Sequence, residues 1–480
     1  MTEEEKENEK EQTSGVGVES EVEEKHHRPW RVVAIIVCAV ALLAGISFLP
    51  LEQWTNGRIS NFNLLGDIID NKADSTSSDQ SEDMIDPALQ EAMKDDRALD
   101  TAAVAEGETP LLAIQPSRQN GQMTLEDYTE AGQGLKKMRE SLNAGGVTRI
   151  AVIGDSYIEG DIFTQDLRQM LQSEFGGTGV GYMNMHTDFP GFRRSVKQGG
   201  KGWTEFAANK SADKKYTSIT QHYFKPNGNA TSTYAGTDAL PNLASWDCSK
   251  FLFISPSDAE IKVKVGENDW VSHKVTGSPE VQCISVDAPT SKFEIGTNGS
   301  SLIGLGTWMY GKTGVSLDCM SSRGFSGLTL NNVNVDLTRQ MSKFIDYDVI
   351  ILEFGINAMS SKQKDYKVYA NRMIDVINHV RECYPNADII MMSIGDRGEK
   401  KAGEVHSMGS APYMVSAQRD AARKARCLFY DTRESMGGED AIVSWVNEGL
   451  ANKDYIHLTH KGGRKLAEPF FNAIKNSVKK

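Results

Sequence analysis

Apolar and polar positions along this chain change period several times, and each change marks an element. Arg149-Ile-Ala-Val-Ile153 is a short apolar run that closes in Gly154-Asp155-Ser156. It reads as a buried strand stopping at a tight turn, with a serine hydroxyl at the strand's carboxyl end. Behind the turn, Phe163, Leu167, Met170, Leu171 and Phe175 recur at helical spacing, so the turn feeds an amphipathic helix. Before the strand, Leu125 to Leu142 reads as a helix with Tyr128, Leu135, Met138 and Leu142 on one face. Strand patterns return at Ser316–Met320, Asp348–Leu352, Ala387–Met392 and Cys427–Tyr430, and helical ones over Tyr366–Cys383, Ala411–Arg426 and Lys461–Val478. Strand alternating with helix predicts an α/β fold, a doubly wound, flavodoxin-like parallel sheet with helices on both faces. In such sheets the active site gathers at the strands' carboxyl ends.

Between residues 184 and 314 the period is different. Runs such as Lys250-Phe-Leu-Phe-Ile254, Glu260-Ile-Lys-Val-Lys-Val265 and Lys292-Phe-Glu-Ile295 alternate between Gly, Asn, Ser and Pro turns. That pattern predicts an antiparallel, sandwich-like β insertion within an α/β domain formed by residues 123–183 and 315–480. Its aromatics Trp246, Trp270, Trp308 and Tyr234 fit the sandwich core or a sugar-stacking surface, the core being favoured.

The N-terminal pattern is of a third kind. Residues 1–31 are polar and charged up to Arg31, and Val32 to Leu49 then runs uncharged for about 18 residues, ~27 Å as a helix, enough to cross a bilayer. Lys25, Arg28 and Arg31 precede this run and Glu52 follows it, which places the N-terminus in the cytoplasm and the rest of the chain beyond the inner membrane. The long polar leader and the lack of a small-x-small site favour a retained single-pass anchor over a cleaved signal peptide. Residues 50–122, rich in Asp, Ser, Glu, Gln and Ala, read as an extracytoplasmic stalk.

Composition adds three limits. The 24% charged and 39% hydrophobic residues are ordinary for globular protein, and the net charge of −13 comes largely from the N-terminal third. No basic stripe with interleaved aromatics is present, which argues against a nucleic-acid partner. The six cysteines show no paired short spacing, so no zinc or thioredoxin-like site is indicated.

Candidate chemistry appears where strands end. After the strand at 316–320 comes Arg323-Gly-Phe-Ser-Gly327, after that at 348–352 comes Glu353-Phe-Gly-Ile-Asn357, and before the last helix lies Asp454-Tyr-Ile-His457. A serine nucleophile needs a base, the base an orienting acid, and the oxyanion preformed donors. Ser156, His457 and Asp454 fill the first three roles; the N–H groups of Ser156 and Gly327 with the amide of Asn357 form a candidate oxyanion hole. Each piece has a plainer reading: Gly-Asp-Ser and Asp-x-x-His as helix caps, Gly-x-Asn as a turn. Their joint occurrence in this order at strand ends favours catalysis.

These blocks resemble those of the SGNH (GDSL) hydrolase family. Gly154-Asp155-Ser156 matches the nucleophile block, Gly324-Phe-Ser-Gly327 the glycine block, Gly355-Ile-Asn357 the asparagine block, and Asp454-Tyr-Ile-His457 the acid and base block. Gly-Ile-Asn-Ala departs from the commoner Gly-x-Asn-Asp, and Gly324 competes with Gly327 as the donor. Gly154-Asp-Ser-Tyr-Ile-Glu-Gly-Asp161 with Phe175-Gly-Gly-Thr-Gly-Val-Gly181 is similar to the branch of periplasmic peptidoglycan and polysaccharide O-acetylesterases and O-acetyltransferases. That resemblance implies a carbohydrate-binding-module-like insertion and an acetylated cell-envelope glycan as substrate. It also implies acyl transfer without metal or other cofactor, by hydrolysis or, with a membrane-bound O-acyltransferase partner, by transfer. A catalytically inactive glycan-binding protein is the rival reading. Asp396 to Ser410 reads as a solvent loop or a lid.

Overall fold

The computed structural model describes residues 111–210, 212–299 and 301–479. The predicted anchor and most of the predicted stalk lie outside the described residues.

The apolar runs assemble into a six-stranded sheet made of β1 (Glu126–Asp127), β2 (Val147–Gly154), β3 (Gly314–Ser321), β4 (Val349–Glu353), β5 (Asp388–Met392) and β6 (Leu428–Tyr430). Their order is β3-β2-β4-β5-β6-β1. The first five pair in parallel, and β1 closes the edge antiparallel to β6. All five residues of β4 are buried, as a central parallel strand covered on both faces requires. Helices flank the sheet: Thr164–Phe175 packs on His460–Val478, and Lys367–Cys383 on Ala411–Lys424. Each Ile, Val or Leu side chain moved wholly from water into this core contributes about 1.5–3 kcal/mol, which is what binds sheet to helices.

Register fixes the functional edge. Gly154 at the end of β2 is flanked by Ser321 of β3 and Glu353 of β4. The segments that leave these three ends therefore share one edge of the sheet.

Two predicted elements come out differently. The expected helix over Leu125–Leu142 is a short edge strand, β1, followed by a helix over Lys136–Ala144. Gly132 and Gly134 at positive φ (62° and 58°) break the helical period between them. The end of the expected stalk carries two paired strands, Arg118–Gln119 and Gln122–Met123, and Leu112 O accepts from the Arg423 guanidinium at 2.7 Å. These residues belong to the folded unit.

The β insertion is a second packed body. One run of antiparallel strands is Val271–Val275, Ala259–Val265, Lys292–Asn298, His222–Ala235 and Lys197–Ala207. The other is Gly181–Met183, Ile303–Tyr310, Trp246–Ser255 and Ser278–Thr290. The sheet thus begins at Gly181, ahead of Asn184. Ile303–Tyr310 is buried along its whole length because it serves two cores: Met309 faces the insertion's own core, and Trp308 and Tyr310 face the α/β unit. Trp246, Trp308 and Tyr234 are core residues, whereas Trp270 is 44% exposed.

Candidate active site

Ser156 follows β2 in a turn closed by the Glu159 N–H on Ser156 O (3.3 Å). The next α-helix starts only at Thr164, with no side-chain cap. Gly-Asp-Ser is therefore not the cap of that helix, and the serine hydroxyl is free for another partner. That partner is His457: Ser156 Oγ lies 2.8 Å from Nε2. His457 Nδ1 lies 2.8 Å from Asp454 Oδ2, while Asp454 Oδ1 accepts the N–H groups of Ile456 (2.9 Å) and His457 (3.0 Å). With a carboxylate against Nδ1 the ring proton sits there, which leaves Nε2 to accept from the serine. Burial raises the Asp454 carboxyl, but the His457 ring and these two N–H groups outweigh it and hold the group below its ordinary value. The final helix begins at His460 with Thr459 as its cap, so Asp454 has no capping role there either.

The remaining predicted residues crowd the same turn. Asp155 is fully buried; its carboxylate accepts from Tyr157 N–H (2.9 Å) and from Asn357 Nδ2 (2.9 Å). The second Asn357 N–H goes to Phe325 O at 3.0 Å. Both amide hydrogens of Asn357 are thus spent on protein acceptors. Gly327 (φ 92°) is buried against the Phe354 ring, where a Cβ would come within 2.8 Å. Gly324 faces open space. The backbone N–H groups of Ser156 and Gly327 donate to no protein acceptor among the described residues.

Beneath the turn lies Glu353, 1% exposed, with neither carboxylate oxygen hydrogen-bonded. It explains Gly154, since a Cβ there would stand 2.8 Å from both the carbonyl and the carboxylate of Glu353. Burial first, then the neighbouring Asp155 charge, pushes the Glu353 carboxyl well above its ordinary value. Burial also raises Asp155, to about 7, against the pull of its donors and of His457. Asp155 has two donors, Tyr157 N–H and Asn357 Nδ2, against only the weaker pull of the Asp155 N–H on Glu353, so of the two Glu353 holds the proton.

No protein-family model matches this chain, and no curated protein sequence does. Solved structures do. A structure of a peptidoglycan O-acetylesterase superposes with a TM-score of 0.62 at 21% identity, over 74% of this chain and 99% of that one. The chain shares that fold. Also matched are a family two carbohydrate esterase from Cellvibrio japonicus (9% identity, 59% of this chain and 99% of that one, TM-score 0.25) and an acetyl xylan esterase (19% identity, 33% and 81%, TM-score 0.26).

Within this shared fold, two supports hold the site that the sequence did not reveal. Asp396–Ser410 is neither a loose loop nor a free lid. Gly398–Lys401 and Glu404–Ser407 form a hairpin whose two-residue turn, Ala402-Gly403, has positive φ at both positions. Gly398 N–H donates to Tyr455 O (2.9 Å), inside the Asp454–His457 turn, where Tyr455 itself is left-handed (φ 57°). Arg397 Nη1 donates to Ile356 O (3.0 Å), beside Asn357. The hairpin is anchored in turn by buried Asp396, which accepts from Ser407 Oγ (2.6 Å), Arg433 Nε (3.0 Å) and Ile442 N–H (3.0 Å).

The second support is Asp161. It is fully buried and left-handed (φ 63°), bonded to the buried Arg168 guanidinium at 2.6 and 2.9 Å and to Ser195 Oγ at 2.5 Å, with Arg193 at 3.2 Å. Burial alone would raise this carboxyl; Arg168 and Arg193 hold it far below the usual range. Arg193 and Ser195 come from the insertion, so Asp161 ties that body to the serine turn. Between them opens a cavity of about 380 Å³, lined among others by Glu159, Phe189, Phe192, His222, Arg323 and Phe325. Asp396 carries no local sequence signal that separates it from surface acids, and the block ending in Asp161 gives no sign of its bonds to Arg193 and Ser195, because those partners lie on other segments. Among the described residues no group of three or more His, Cys, Asp or Glu is placed to hold a metal ion, and no helix is long and apolar enough to cross a membrane.

Proposed function

We propose that this chain is an SGNH-type serine esterase that removes O-acetyl groups from a cell-envelope glycan through an acetyl-Ser156 intermediate. The observation that carries the reading is the continuous chain Ser156 Oγ, His457, Asp454 at the carboxyl edge of a parallel sheet, with both links at 2.8 Å. His457 Nε2 takes the hydroxyl proton as Ser156 Oγ attacks the acetyl carbonyl. His457 then returns that proton to the departing sugar oxygen, and water repeats the cycle to release acetate. Asp454 fixes the tautomer and stabilises the imidazolium. The N–H groups of Ser156 and Gly327 supply oxyanion donors. Asn357 joins them by exchanging one of its present bonds, and otherwise sets the loops that carry them.

The named activity of the acetylesterase with this fold supports the choice of acetyl esters. The apolar run Val32–Leu49 supports anchoring in the inner membrane with the catalytic unit outside the cytoplasm. Incubating the protein with acetylated peptidoglycan or polysaccharide, with and without a deacetylated acceptor, tests the reading. Free acetate supports the esterase; acetyl appearing on the acceptor makes the chain an O-acetyltransferase, with a membrane acyl-donor partner. Glycan binding with neither product makes it a binding protein.

A further inference from the structure

Gln221 and His222 stand where the β insertion meets the α/β unit, and both grip one segment of that unit, Ser322 to Thr329. Gln221 is fully buried with left-handed backbone (φ 61°), an unfavourable conformation for a non-glycine residue. Its Nε2 donates to Ser322 Oγ (3.3 Å), and its Oε1 accepts from Thr329 Oγ1. His222 Nε2 lies 3.0 Å from Ser322 Oγ, its ring stacks on Phe325 with centroids 6.1 Å apart, and its Nδ1 lies 2.7 Å from Glu205 Oε1. Nδ1 makes no hydrogen bond to that carboxylate, so the ring is held by its Nε2 contact with Ser322 Oγ and by its stack on Phe325.

The gripped segment touches the reaction centre at two points: Ser322 N–H donates to Gly154 O (2.8 Å) and Phe325 O receives Asn357 Nδ2 (3.0 Å). It also carries Gly327, the oxyanion donor of the proposed function. We propose that Gln221 and His222 are positioning residues of the esterase centre. Through them the insertion sets the glycine loop and the Asn357 amide, and so takes part in chemistry on any ester, glycan or not. This rests on the acyl-transfer reading above.

The test uses the full chain and 4-nitrophenyl acetate, a substrate too small to need glycan contacts. His222→Ala is expected to lower kcat roughly tenfold to a hundredfold, the usual scale for a displaced catalytic group, while KM moves less than about twofold. His222→Gln, whose amide oxygen can accept from Ser322, should recover most of that loss; Gln221→Ala should behave like His222→Ala, with thermal unfolding checking that each variant is folded. A folded His222→Ala with wild-type kcat, or with a loss confined to KM, overturns the proposal and leaves the insertion a binding or packing module. If Gln221→Ala does not fold, the His222 pair alone decides. Labelling of Ser156 by a fluorophosphonate separates the two readings. A wild-type protein that neither turns over the ester nor is labelled refutes the esterase itself, whereas wild-type and His222→Ala proteins labelled at equal rates refute only the positioning.

Discussion

Asn357→Asp preserves shape while exchanging a donor for an acceptor at a point where two acceptors already wait. In the native site Nδ2 stands 2.9 Å from Asp155 Oδ2 and 3.0 Å from Phe325 O. Two carboxylates at that spacing repel by about 6 kcal/mol at an effective dielectric near 20. Partial exposure of Asn357 reduces this to roughly 2–3 kcal/mol. The lost donor bonds cost about 1–3 kcal/mol more, a loss that Asn357→Ala shares. The pair escapes the repulsion by taking up a proton, which also lets the new carboxyl donate to Asp155. The folded variant therefore binds a proton that the unfolded chain releases near pH 4, so the relief is present at low pH and lost as pH rises. Denaturant unfolding at pH 5 and pH 8 is the assay. Asn357→Asp should match Asn357→Ala at pH 5 and fall below it by roughly 2 kcal/mol at pH 8. Equal stability of the two variants at pH 8 would refute the assignment of both amide hydrogens.

Three further outcomes follow from the same contacts. Asp161→Ala strands the fully buried Arg168 guanidinium and should cost about 3–5 kcal/mol in unfolding free energy, with Asp161→Asn costing less. Asp454→Asn lets the ring proton move to Nε2 and should lower kcat by roughly three to four orders of magnitude while the fold, judged by circular dichroism, is kept. Asp155, raised by burial to about 7 from an ordinary value near 4, stabilises the folded state below pH 4 and loses that contribution as pH rises to 7. The stability of wild type relative to Asp155→Asn should therefore fall across that interval; a difference independent of pH would show that Asp155 ionises normally.

What the chain reveals locally it reveals well. The apolar run before Gly154 and the runs at 348–352 and 387–392 are central strands because such β-branched stretches need burial on both faces. Three of the four polar blocks follow strands whose register brings their ends level, so Ser156, the glycine block and Asn357 fall at one edge, while Asp454 to His457 reaches that edge from the turn before the last helix. Remote partners are not legible in this way. β1 exists because β6 offers it an unpaired edge, which the helical spacing of Tyr128 and Leu135 hides. Ser156 and Asn357 look like equal members of a hydrogen-bonding site in sequence, yet the amide hydrogens of Asn357 are turned inward to Asp155 and Phe325. His222 has no sequence neighbour that singles it out; only the docking of the insertion sets its ring on Phe325.

The central claim is that Ser156 carries the acetyl group between glycan and water. Rapid quenching of the protein with acetylated peptidoglycan, followed by peptide mass spectrometry and an acetate assay on the same samples, measures it most directly. The account predicts acetyl on the peptide containing Ser156 at early quench times in the wild-type protein, and neither that acetyl-peptide nor acetate above background from Ser156→Ala. Acetate released at the wild-type rate by Ser156→Ala would contradict it.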